Sequence, residues 1–172
     1  MGKLSFKIDD GGARAKLAAL QAATSDMRPV YETIGRVLVN RIRLGFKLGV
    51  DPWAAPWAAL KIRQGQPLRD TGRLQRSITS QPDAQGVTVG TSLRYAPVHQ
   101  FGATITPKNA KRLVFPGPGG KLIFAKKAVI PARPFLPLRR GQAAVALPPA
   151  WSALVVSALK AYFTKAATKA GA

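Results

Sequence analysis

At 172 residues and 47% hydrophobic, the chain suits a single globular domain, and no apolar run approaches the length of a membrane-spanning helix. It has no cysteine, which excludes disulfides, thiol catalysis and cysteine-ligated zinc. Lys and Arg number 27 against 7 acidic residues, a formal net charge of +20, and no Asp or Glu follows Asp83. Such a surface attracts polyanions, favouring nucleic acid or an acidic protein as partner over a generic basic face, without separating the two.

The first ten residues alternate polar and apolar and lack the apolar centre of a signal peptide, so a soluble, non-secreted protein is expected. Lys3 to Ile8 reads as a strand with Leu4, Phe6 and Ile8 on one face, broken by Gly11-Gly12. Ala13 to Ala23 reads as a helix. A second helix starts near Arg28-Pro29, with Asp26 as its candidate cap, and runs to about Leu48. Its apolar stripe is Val30, Ile34, Val37, Leu38, Ile42 and Phe46, with Arg36, Arg41, Arg43 and Lys47 on other faces.

Gly49 to Pro67 is punctuated as a loop and carries Trp53 and Trp57, which are either lids on their own core or contacts that another subunit covers. Arg69 to Thr79 reads as a short helix after Asp70 or Thr71, and Gly86 to Gly90 as a short strand. Residues 113–125 read as a protruding hairpin, Leu113-Val114-Phe115 and Lys121-Leu122-Ile123-Phe124, with an exposed, mobile tip through Pro116-Gly117-Pro118-Gly119-Gly120. Ala128-Val129-Ile130 is one more short strand. A final helix over 148–168 has Trp151, Leu154, Val155, Ala158, Leu159, Tyr162 and Phe163 as its stripe. The sum is an α+β fold, one domain over 1–172. A small antiparallel sheet of N-terminal strand, central strands and long hairpin packs on two N-terminal helices, with the C-terminal helix added.

The inventory for catalysis is thin. His99 is the single histidine, so it has no His or Cys with which to share a metal. A set of Ser77 or Ser92 with His99 and Asp70 is arithmetically available, but no nucleophile elbow, phosphate loop or dinucleotide fingerprint accompanies it. The expectation is no enzyme and no cofactor, with His99 a structural hydrogen-bonding residue held between Tyr95 and Phe101.

Three phrases stand apart from this patterning: Asp70-Thr71-Gly72-Arg73-Leu74, Tyr95-Ala96-Pro97-Val98-His99-Gln100-Phe101-Gly102, and Ile130-Pro131-Ala132-Arg133-Pro134-Phe135-Leu136. The first is a capped turn planting Leu74 and Ile78 inward. The second is a helical turn with Pro97 in its first turn and Gly102 to stop it. In the third, Pro131 and Pro134 enforce an extended path that offers Arg133 as a donor fork and Phe135-Leu136 as anchors. In this order, and preceded by Asp51-Pro52-Trp53 and Trp57-Ala58-Ala59-Leu60, they resemble the phage virion morphogenesis family, the tail-completion or neck proteins of tailed, Mu-like bacteriophages.

The resemblance implies a structural virion protein that forms a ring, sixfold, at the head–tail junction. It would complete or terminate the tail and help join it to the DNA-filled head, leaving a DNA channel. The implied partners are further copies of the chain, the tail tube and head–tail connector proteins, and transiently genomic DNA, with no membrane. The implied location is the top of the tail in the virion, and the host cytoplasm during assembly. The alternative is a basic, non-sequence-specific DNA-binding module of the assembly machinery. Candidate interface residues are Trp53, Trp57, Phe115, Phe124, Arg133, Phe135 and Leu136; Asp70, Thr71, Gly72, Leu74, Tyr95, His99, Phe101, Gly102, Pro131 and Pro134 are motif residues that shape the fold.

Overall fold

Everything is built around α2 (Arg28–Leu48), whose apolar residues recur at helical spacing. The computed structural model describes residues 13–61, 64–138 and 146–169, and the strand expected at Lys3–Ile8 lies outside them. In α2, Val30, Ile34, Val39, Ile42 and Phe46 are buried, with Val37 and Leu38 half-buried on the flanks. Pro29 occupies the first turn, where its missing N–H has no helical partner to lose. Asp26 accepts from the Arg28 N–H at 3.0 Å, acting from one residue before the capping position, Met27.

On one side α2 meets α5 (Pro149–Lys169), which also packs against α1 (Ala13–Ser25). Trp151 drives the first turn of α5 into the core, whereas Leu154, expected on the same stripe, is 41% exposed. At about 100° per residue it falls at the edge of the face formed by Val155, Ala158, Leu159 and Tyr162.

On the other side α2 carries the hairpin of β1 (Thr79–Pro82) and β2 (Val87–Gly90), paired Thr79↔Gly90 to Pro82↔Val87. Asp83 closes its turn by accepting from the N–H groups of Gln85 and Gly86. Contact with the helix is close enough that a Cβ at Gly35 would sit 2.8 Å from Ser80. The helix expected over 69–79 contracts to the single turn α3 (Arg73–Arg76), because Gly72 enters it in the left-handed region and Thr79 already belongs to β1.

The chain continues through α4 (Ala96–Phe101) and β3 (Ala103–Ile105), then the hairpin of β4 (Leu113–Pro116) and β5 (Leu122–Ala125), and β6 (Ala128–Ile130). β3 pairs antiparallel with β6, and β4 with β5 in the register Val114↔Phe124 and Pro116↔Leu122. The class is α+β. Among the described residues the strands form three separate two-stranded ladders instead of one sheet. No helix there is long and apolar enough to cross a membrane.

Candidate functional site

The three phrases converge. From α2, Phe46 meets Trp57 edge-on and Phe135 at a tilt, each with ring centroids 5.4 Å apart, and Leu74, Ile78, Ala96 and Leu136 complete this core. Trp57, Arg133, Phe135 and Leu136 had been candidates for touching a neighbour. All four are 9% exposed or less and are consumed within their own chain. Prolines drive this outcome. Pro131 and Pro134 end β6 at Ile130 and keep residues 131–136 out of any ladder, so their backbone groups need other partners and their apolar residues turn inward.

Those partners come from the second phrase and from the tryptophan loop. Gln100, 3% exposed, donates through Nε2 to the carbonyls of Leu136 and Leu138, both at 2.9 Å. Its Oε1 accepts from the N–H groups of Phe135 and Leu136, both at 3.0 Å. The Trp57 indole donates to the Pro134 carbonyl at 2.8 Å. Arg133 donates through Nε to Ala58 O at 2.8 Å and through a terminal nitrogen to Ala59 O at 3.0 Å, while its own N–H reaches His99 O at 2.8 Å. The expected donor fork is real, but it ties the tryptophan loop to the proline strap of the same chain.

Gly102 ends α4 at φ 69°, and a Cβ there would lie 2.9 Å from Ala132 N and Ile130 O. The second phrase can therefore lie against the third only with glycine at this position. Sequence reasoning passed over Gln100. Its signal was a single amide beside a segment with three prolines (Pro131, Pro134, Pro137) that could not satisfy itself.

Beside this junction lies a cavity of about 350 Å³, lined by Leu60, Leu68, Asp70, Thr71, Gly72, Arg73, Leu74, Tyr95, His99 and Arg133. Leu68 and Gly72 both hold left-handed backbone on either side of Asp70. Thr71 accepts from the Arg73 N–H at 3.3 Å, and Arg76 donates to Thr71 O at 3.0 Å. Tyr95 stacks edge-on against His99, centroids 5.8 Å apart. Burial, and then the Arg133 guanidinium, holds His99 below its ordinary pKa of 6.5, so the ring is neutral at pH 7.

Among the described residues the buried Nδ1 of the imidazole has no hydrogen-bond partner. The hydrogen-bonding role expected of His99 passes instead to its backbone carbonyl. Ser77 Oγ is engaged with Leu74 O and Thr91 Oγ1, away from His99. Among the described residues no three His, Asp or Glu side chains gather as a metal site. The remaining interface candidates separate: Trp53 is 37% exposed and Phe124 58%, while Phe115 is half-buried on the opposite face of the hairpin from Phe124.

The profile of the phage virion morphogenesis family matches residues 8–145. The chain is 37% identical over 120 residues to the Mu-like prophage FluMu G protein 2 of Haemophilus influenzae, covering 70% of this chain and 72% of that protein. No solved structure matches it.

Proposed function

The chain belongs to the phage virion morphogenesis family, and from that membership we propose that it is a structural subunit of a Mu-like head–tail junction. Copies close into a sixfold ring that completes the tail and joins it to the DNA-filled head, with a channel for DNA. The subunit works without catalysis or cofactor, and its neighbours are the tail tube and the head–tail connector. It acts in the virion neck after assembly in the host cytoplasm.

The observation that carries this reading is where the motif residues go. Gln100, Arg133, Trp57 and Gly102 are spent on making one rigid junction, and no nucleophile–base pair is built from them. A ring subunit needs such a frame, because closure by a head-to-tail interface tolerates little angular error per step. Electron microscopy of the purified protein, alone and added to tails lacking it, tests the reading. Closed rings seated at the tail end are expected; a protein monomeric at high concentration that leaves the tails unchanged would sink it.

The charge of +20 favours a second reading, a phosphate-gripping DNA module. Its signature is duplex binding that falls steeply with salt and does not need the ring.

A further inference from the structure

The hairpin β4–β5 has more apolar surface than its own chain covers. Leu113-Val114-Phe115 and Leu122-Ile123-Phe124 are apolar on both faces, the pattern of strands that are buried on both sides. One face, with Leu113, Phe115 and Ile123, is half-buried. The register places Val114 opposite Phe124 and Pro116 opposite Leu122 on the other, where Val114, Leu122 and Phe124 are 54%, 59% and 58% exposed. An isolated two-stranded ladder is marginal in water, and an apolar row rimmed by charge marks a contact surface.

The rim is uniformly cationic. Lys111, Arg112, Lys126 and Lys127 gather at the base of the hairpin and Lys121 at its tip, all exposed. None of these side chains has an ion-pair or hydrogen-bond partner among the described residues.

We propose that this face docks an acidic segment of a different protein, one with an apolar centre flanked by carboxylates. Charge argues against a second copy. Of the five described carboxylates, Asp26, Asp51 and Asp83 accept backbone N–H groups and Glu32 pairs with Arg28, which leaves Asp70. The apolar row argues against duplex DNA, whose phosphates would satisfy the lysines and leave Val114, Leu122 and Phe124 in water. The surface does not depend on ring closure. A ring that forms without peptide binding sinks only this proposal, and a monomer that binds the peptide sinks only the ring.

The probe is a short fluorescent peptide with a valine–leucine centre and glutamates at both ends, titrated against the full chain by anisotropy. Saturable binding is expected, weakened about tenfold or more by Leu122→Thr with Phe124→Thr, by Val114→Thr to a lesser degree, and by adding salt. Threonine keeps strand propensity, and unchanged thermal melting shows that each variant folds. A peptide with a serine centre should bind the parent chain no better than the valine–leucine peptide binds the double variant. Peptide binding indifferent to Leu122 and Phe124 overturns the proposal. So does loss in the double variant of single- or double-stranded DNA binding, or of self-association, since either would assign the face to that occupant.

Discussion

Two parts of the molecule use aromatic residues in opposite ways. At the junction of the three phrases, Phe135 is 3% exposed against Phe46 and Trp57, and the N–H groups of Arg133, Phe135 and Leu136 and the carbonyls of Pro134 and Leu136 all have partners. On the hairpin 113–125, Phe124 is 58% exposed and faces solvent across from Val114. The motif-rich region is therefore the frame, while the region with the plainest sequence supplies the open surface. Residues that look most distinctive in a sequence need not be those that meet a partner, because awkward local geometry also demands particular residues.

The largest test of this contrast replaces each phenylalanine in turn. Phe135→Ala should destabilise the isolated chain by about 3–5 kcal/mol, as a close-packed ring leaves a cavity between Phe46 and Trp57. Phe124→Ala should change stability by less than about 0.5 kcal/mol. Denaturant unfolding of both variants gives the comparison directly, and similar losses for the two would erase it.

Next in size is Gln100→Leu, which roughly keeps the side-chain size but strands two N–H groups and two carbonyls of 135–138. About 3 kcal/mol of stability should go, since buried unpaired groups each carry a desolvation cost. Faster amide exchange at Phe135 and Leu136 should accompany it. A neutral outcome would mean that the strap is held by packing alone.

Much of the frame was legible in advance. The 3.6-residue period of α2, the prolines at 29 and 97, the stop at Gly102 and the hairpin boundaries all act through local backbone physics. β1 and β3 were missed because Thr79-Ser80-Gln81-Pro82 is polar and Ala103-Thr104-Ile105 is short, and their pairing partners supply the order. The direction in which Arg133 and Phe135 point was not legible. Two prolines fix an extended path without saying which side faces the core. That depended on Gln100 and the Trp57 loop, 35 and 74 positions away from the strap in sequence for their nearest bonded pairs, a separation at which local pattern carries no information.

The smallest expected effect is a pH dependence at the edge of the frame. His99 titrates below its ordinary 6.5, chiefly because burial disfavours the charged ring and secondarily because Arg133 lies near. Between the two pKa values the unfolded chain binds the extra proton, so stability is fully present above pH 6.5 and declines as pH falls toward the folded-state value. Below that value the contribution is gone and the curve flattens. His99→Gln should remove this slope while leaving the His99 carbonyl bond to Arg133 in place. The hairpin has no such group, so peptide binding to Phe124 should not follow the same titration. If the slope survives in His99→Gln, the proton is taken up elsewhere, and the cavity beside Tyr95 is not what weakens the frame in acid.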